Sequence, residues 1–448
     1  MKGKFYLVSL GCPKNLVDSE AMAGRLLRAG FSLTTSPAQA DLILVNTCGF
    51  IDDAQAESIE AILQLSKWKK KLIVTGCLAQ IAGRQIFQDI PEVSAVVGID
   101  GEKEISQISL SLLQANQRIL KLGPPYPDQG EYAICRPLTP FYTSYLKIAD
   151  GCDNRCSYCL IPKIRGRLRS IPMELVMQRA RLMAQGGVRE VILVAQDLSS
   201  YGLDLYGKPM LAELLRQLDK LEGISWIRLL YLHPAHLNSE LIEVIGSGRR
   251  ICKYLDLPLQ HISDRILREM NRKMRAKELE GLILRLRNSI PGVVLRTTFI
   301  VGFPGESEEE FEELLEFVWR SKFEKLGCFI YSPQRGTPAA QLPYQIPLDV
   351  KRERQERLLA LQAEVSRMVN QRRIGKREVA LIEGKLSPGT YSGRTSGEAP
   401  EIDGQVIVRG ENLQPGDMVG IRITGSSDFD LTAQVIDDAN AEDAVLGS

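Results

Sequence analysis

Three short apolar runs near the start of the chain each end at a cysteine: SLGC at Cys12, LVNTC at Cys48 and IVTGC at Cys77. Helical spacing follows the first run over about 16–29 and the second over about 53–69. Nearly continuous apolar runs that alternate with helices predict parallel strands buried on both faces. VSAVVGI (93–99) fits as a fourth such strand. Strands of one parallel sheet run the same way, so the three thiols are expected together at its carboxyl edge, where open α/β sheets hold ligands. The plain alternative is three separate core cysteines, since free Cys packs as a small hydrophobe.

A second set is contiguous. Cys152, Cys156 and Cys159 lie in ADGCDNRCSYCLIP, directly after the apolar run SYLKIA (144–149). Three thiolates on one loop suit three corners of a 4Fe-4S cube and leave the fourth iron open. A closed zinc site would want a fourth Cys or His nearby, and paired C-x2-C units are the commoner zinc spacing. No second C-x2-C unit adjoins the loop, and the one further Cys or His within twenty residues is Cys135, seventeen positions upstream. The chain has nine cysteines and three histidines, which argues for metal binding or catalysis over a disulfide framework. Cys252 and Cys328 sit in or beside apolar runs and read as core; Cys135 receives no role.

Strand and helix patterns alternate again from about 138 to 350. The runs are SYLKIA, EVILVAQ (190–196), IRLLYL (227–232), KYLDLPL (253–259), VLRTTFIVG (294–302) and LGCFIYS (326–332). Six repeats predict a partial (βα)6 barrel resembling a TIM barrel, whose site lies where strands end. Gln196 and Asp197 end the second run, and Gly302 ends the fifth, in GFPG. They are candidates to touch a bound cofactor, Gly302 by allowing close backbone approach. His233 and His261 at strand ends are read as structural. Arg165, Arg167 and Arg169 follow the cysteine loop and suit either a carboxylate or solvent. A charged amphipathic helix is expected over 349–373. After Gly375 the texture changes to four or five short strands with Gly and Pro turns, predicting a small antiparallel β-barrel. The Pro-rich stretch PPYPDQG (124–130) reads as a linker, and the last ten residues as frayed. The resulting α/β organisation has domains at 3–118, 138–368 and 371–438.

No apolar run of about 18 residues occurs, and MKGKFYLVSLG lacks a leader pattern, so a cytoplasmic protein with no membrane partner is expected. Net charge is +1, without the basic excess of a general nucleic-acid binder. Direct nucleic-acid binding is left open but not favoured.

The 152–159 spacing, with Tyr158 before the last cysteine, resembles the signature loop of the radical S-adenosylmethionine superfamily. The resemblance implies that the cofactor chelates the open iron and is cleaved to a 5′-deoxyadenosyl radical, with Tyr158, Gln196, Asp197 and Gly302 near it. Many such enzymes carry Gly-Gly-Glu at the second strand end; here Gln196 and Asp197 would have to substitute.

With both cysteine triplets and the terminal barrel, residues 3 to 438 resemble the methylthiotransferase family. That implies two 4Fe-4S clusters, one held by Cys152, Cys156 and Cys159 and an auxiliary one by Cys12, Cys48 and Cys77. It also implies a terminal TRAM barrel and an electron donor such as flavodoxin or ferredoxin. SLGCPKNLVDSE (9–20), NTCGFIDDAQAES (46–58), GCDNRCSYCLIPKIRGRLRS (151–170) and GRTSGEAPEIDGQV (393–406) look like the RimO branch. That branch modifies the β-carbon of an aspartate in ribosomal protein uS12 of the small ribosomal subunit; the other modifies adenosine in transfer RNA. Residues 374–438 carry six Lys or Arg and eleven Asp or Glu, a net −5. A barrel gripping RNA should be basic, whereas an acidic one suits a basic protein. A non-catalytic iron–sulfur RNA-binding or electron-transfer protein is the competing reading from another class.

Overall fold

The computed structural model describes residues 2–115, 117–125 and 138–436. Cys135, most of the expected linker and residues 437–448 lie outside the described residues.

The first body is a six-stranded parallel sheet in the order β2-β1-β3-β4-β5-β6. Its strands are β1 (Lys4–Ser9), β2 (Ser32–Leu33), β3 (Leu42–Thr47), β4 (Lys71–Gly76), β5 (Val93–Val97) and β6 (Ile119–Lys121). Helices α1 (Pro13–Arg28), α2 (Asp52–Ser66), α3 (Cys77–Asp89) and α4 (Ile105–Gln114) connect them. Every residue of central β3 is buried, as a strand covered on both faces requires. The edge strands β2 and β6 are absent from the sequence reading, because two or three residues carry no periodicity.

The second body is an open six-stranded parallel sheet in the order β14-β13-β12-β11-β10-β7. Its strands are β7 (Thr143–Lys147), β10 (Glu190–Val194), β11 (Trp226–Leu229), β12 (Ile251–Gln260), β13 (Val294–Val301) and β14 (Lys325–Ile330). A short antiparallel pair, β8 (Ala149–Asp150) with β9 (Arg169–Ser170), brackets the cysteine loop. The helices are α5 (Ile161–Ile164), α6 (Met173–Gln185), α7 (Leu203–Tyr206), α8 (Leu211–Leu218), α9 (Ser239–Ser247), α10 (Asp264–Glu269), α11 (Ala276–Ser289) and α12 (Glu308–Ser321). Local chemistry starts α12: Ser307 Oγ accepts from the Glu310 N–H at 3.2 Å, and Glu310 Oε2 accepts from the Ser307 N–H at 3.0 Å. Such a capping box satisfies two otherwise orphaned donors. The expected long helix is α13 (Leu348–Gln371), packed along β14 and α12.

The third body is a closed five-stranded barrel in the order β15-β16-β17-β19-β18. Its strands are β15 (Arg377–Ser387), β16 (Thr390–Thr395), β17 (Val406–Arg409), β18 (Met418–Ser426) and β19 (Leu431–Val435). The expectation of a purely antiparallel barrel is corrected here, because β17 and β19 pair parallel. A closed ring with an odd number of strands must contain at least one parallel neighbour pair.

This small barrel plugs the amino end of the central sheet. Glu190, the first residue of β10 and fully buried, pairs with Arg228 Nε and Arg394 Nη2, each at 2.7 Å. Arg228 also donates to the Ser396 carbonyl at 2.8 Å. Tyr254 donates to Asp403 at 2.7 Å, and Glu398 accepts from Arg373 at 2.5 Å. Val379, Leu381 and Ala399 add an apolar floor beneath Tyr145, Ile192 and Tyr254. The 393–406 stretch is therefore an interdomain joint.

Replacing one partner of such a pair strands the others in a dry interior, so Glu190→Gln is expected to lose about 3–5 kcal/mol of stability. Burial pushes the Glu190 carboxyl up, but the two guanidiniums outweigh it and hold it down at about 2. Its contribution is complete above the unfolded value of about 4.3 and is lost as pH falls through 2. Thermal melts of wild type and Glu190→Gln should converge in acid; melts that stay parallel at every pH would remove this pair from the ledger.

Candidate iron–sulfur and cofactor site

The first cysteine set is built by loops at the carboxyl edge of the first sheet. Cys12 caps α1, Cys48 follows β3 and Cys77 opens α3. Two glycines make the approach of these loops feasible. Gly11 has φ +86°, and a Cβ there would lie 2.8 Å from Cys48 Sγ. Gly76 has φ +92°, and a Cβ there would lie 2.2 Å from Asn46 Oδ1. Both backbones sit in a region L side chains avoid. Cys77 is tied to the first and second bodies at once: its Sγ donates to Asn15 Oδ1 at 3.5 Å, and Arg165 donates to that Sγ at 3.4 Å.

Burial pushes Cys77 up to about 12, opposed by Arg165, and raises Cys48. Burial also raises Cys12, but Lys14, the Asn15 amide and Arg165 outweigh it and bring that thiol below its ordinary value. Cys12 also raises both Cys48 and Cys77 through its charge, which reflects their proximity.

The second set lies at the carboxyl end of β7. Ser157 fixes its loop, donating through N–H to the Met270 carbonyl at 3.0 Å and through Oγ to the Glu269 carbonyl at 2.6 Å. The Ile161 N–H donates to Cys159 Sγ at 3.4 Å, and Arg272 lies 3.7 Å from Cys156 Sγ. Burial pushes Cys152 to about 11 and Cys159 to about 12. Tyr158 packs against Ile266, Met270 and Phe303.

The two sets are neighbours. Leu160 and Ile164, immediately after the second set, pack on Cys77 of the first. Arg165 pairs with Asp18 of α1 at 2.5 Å and with Asp150 at 3.2 Å, and Lys147 pairs with the same two carboxylates. On the far side Gln334 donates to Asp52 of α2 at 2.8 Å. Both sheets thus turn their carboxyl ends toward each other.

Gln196 and Asp197 end β10 as expected. Gln196 donates to Asp150 at 2.8 Å, leaving its Oε1 buried without a partner among the described residues. Asp197 Oδ2 binds Asn154 at 2.8 Å, Ser200 at 2.7 Å and His236 at 2.8 Å, while Oδ1 is buried and unpaired among the described residues. Burial raises Asp197, but hydrogen bonds from His236 and Ser200 help pull it down to about 2, so it is anionic. Two orphaned acceptors beside the cysteine loop fit the ammonium of an amino-acid-like cofactor, since buried acceptors are costly unless satisfied. Three thiols are the donor set that a cube with one open iron takes, while among the described residues no group of three His, Cys, Asp or Glu already stands as a compact metal cage.

Gly302 has φ +70°, and a Cβ there would lie 2.3 Å from Lys351 Cγ, so packing of α13 also requires a glycine at this position. Arg165 serves the joint between the sheets, being 1% exposed and paired twice, while Arg167 is solvated beside Asp153. Burial, then Arg272, holds His233 down at about 2, and burial holds His261 at about 3, so both rings are neutral at pH 7. Cys252 and Cys328 are buried core residues. Sequence reasoning missed Lys14, Asn15, Asp18, Asp150, Asn154 and Arg272. For Asn15 and Asp18 a signal existed in their spacing, three apart after Cys12, although the helix expected from about 16 begins earlier, at Pro13, and puts both on one face.

Residues 4–98 match the Uncharacterized protein family UPF0004, 146–318 the Radical SAM superfamily and 374–436 the TRAM domain. Among solved structures, the chain is similar to the radical S-adenosylmethionine methyltransferase TsrM from Kitasatospora setae. The TM-score is 0.57 at 15% identity, over 88% of this chain and 81% of that one, a likeness of fold. The central sheet, its cysteine loop and the superfamily match define a radical S-adenosylmethionine enzyme, a class that works with a 4Fe-4S cluster and S-adenosylmethionine.

Two curated relatives are named ribosomal protein uS12 methylthiotransferase RimO. That of Pelotomaculum thermopropionicum is 47% identical, and that of Geobacter sulfurreducens 46%, each over 97% of this chain and 99% of the relative. The chain belongs to the RimO family of methylthiotransferases. No helix among the described residues is long and apolar enough to cross a membrane.

Proposed function

We propose that this chain transfers a methylthio group to the β-carbon of an aspartate in ribosomal protein uS12. The observation that carries the chemistry is the juxtaposition of two three-thiol sets across one interdomain junction, through Leu160, Ile164 and Arg165. The names of full-length relatives support the substrate. In this reading 3–118 carries an auxiliary 4Fe-4S cluster on Cys12, Cys48 and Cys77. The 138–368 unit carries the radical-forming cluster on Cys152, Cys156 and Cys159, and 371–438 is the TRAM barrel.

When bound, the clusters and S-adenosylmethionine supply a carbon radical able to take hydrogen from an unactivated C–H bond, together with the sulfur and methyl that replace it. The chain's own residues bind and orient. Asp197 Oδ1 and Gln196 Oε1 would accept from the cofactor's ammonium, and Asn154 ties Asp197 to the cysteine loop. Tyr158 closes the apolar wall beside Phe303 and Met270. Arg272 and Arg165 balance thiolate charge at the two sets. Delivery of an electron by a flavodoxin- or ferredoxin-like donor belongs to the same reading.

The acidity of the terminal barrel supports a protein substrate less directly than its count implies, because Glu398, Asp403 and Asp428 face cations of the core and of α13. The test is incubation of reduced, iron-reconstituted protein with S-adenosylmethionine and either uS12 or transfer RNA. A mass gain of one methylthio group is expected on uS12 alone. The same gain on transfer RNA alone would replace this function with the other branch's.

A further inference from the structure

Around the two thiol sets the buried cations other than Lys14 hold hydrogen-bond or ion-pair partners among the described residues. Arg165 and Lys147 share Asp18 and Asp150. Arg272 lies between His233 and the Pro258 carbonyl, and Arg296 faces Asp256 and Asp403. Lys351 donates to the Tyr331 carbonyl. Lys14, two residues after Cys12, is 8% exposed and meets no carboxylate among the described residues. Its ammonium rests on the ring of Tyr231, 3.4 Å from the centroid.

A buried cation without a counter-ion is costly, and a cation–π contact offsets only part of that cost. The backbone that carries this ring is itself fixed. Tyr231 adopts φ +66°, and its N–H is fixed by Asp256 Oδ2 at 3.0 Å. Left-handed backbone at a residue of this size persists only where its surroundings impose it. Lys14 comes from the first sheet's edge and Tyr231 from the end of β11, so the ammonium stands at the junction between the two bodies. Its charge also reaches Cys12.

We propose that Lys14 binds the side-chain carboxylate of the substrate residue. This rests on the uS12 reading and deepens it. The carboxylate carbon of an aspartate is bonded directly to the β-carbon, so anchoring one holds the other within one bond of a fixed point. A neutral nucleobase offers no such anion, so the same lysine favours an acidic side chain over adenosine.

Binding, separate from turnover, tests the role. Two peptides copy uS12 around the target residue, one with aspartate and one with asparagine, and their affinities for the iron-reconstituted protein are compared. The wild type is expected to prefer aspartate by about 10- to 100-fold, the value of a charge-assisted hydrogen bond. Lys14→Met should bring the ratio close to one, and Lys14→Arg should keep most of it. A wild type that binds both peptides alike overturns the proposal without any variant, as does a ratio that survives in Lys14→Met. Should Lys14→Met fail to hold its iron, Lys14→Gln and the wild-type ratio decide by the same criteria. Methylthiolation of uS12 with no aspartate preference overturns Lys14 alone; modification of transfer RNA with neither peptide bound overturns the uS12 reading as well.

Discussion

Cys156→Ala is expected to abolish cleavage of S-adenosylmethionine, with 5′-deoxyadenosine falling to background and iron dropping from about eight to about four per chain. The middle thiol of the 152–159 loop has no substitute. Beside it the Ser157 hydroxyl is committed to the Glu269 carbonyl and the Ile161 N–H to Cys159 Sγ. Arg272 stands 3.7 Å from its sulfur, a fixed positive charge that favours an anionic ligand set. With alanine there, the guanidinium remains buried and only two thiols are left. Anaerobic iron and sulfide analysis with chromatography of the nucleoside products checks this. Cleavage at a substantial fraction of the wild-type rate would mean that the radical-forming cluster sits elsewhere.

Cys48→Ala separates the two sets. Cofactor cleavage should continue, because Cys152, Cys156 and Cys159 are untouched, while methylthio product should disappear and iron again fall to about four. Cys48 is pressed against Gly11 on one side, and its N–H is held by Ser58 Oγ at 3.0 Å on the other, so the loop keeps its shape when the sulfur is removed. The variant therefore tests chemistry and not folding. Full product from Cys48→Ala would remove the auxiliary site from the first sheet.

Much of the site was legible because its signals are local. A cysteine ending an apolar run announces a thiol at a strand end, and three such runs in parallel bring the thiols together. Ser307 and Glu310 mark the start of α12 within four residues. What stayed hidden depends on partners far away in sequence. Asp18 and Arg165 are 147 positions apart, and neither residue's surroundings indicate that the other will neutralise it in a dry interior. Gly302 carried the mark of a ligand-approach glycine, yet a helix that begins at Leu348 fills the space beside it. The 393–406 stretch pointed to the RimO branch, while its physical work, gripping Glu190, Arg228 and Tyr254, appears only in three dimensions.

That grip bears on how the protein can be taken apart. Three family matches in a row suggest interchangeable cassettes, each free to be cut out or grafted onto another chain. The ion pairs and apolar floor at the foot of the central sheet say otherwise. Trimming away the terminal barrel would take Arg394 from Glu190, the Ser396 carbonyl from Arg228 and Asp403 from Arg296, and open the enzyme from below. The borders read from sequence are genealogical; the mechanical unit runs from the first strand to the last.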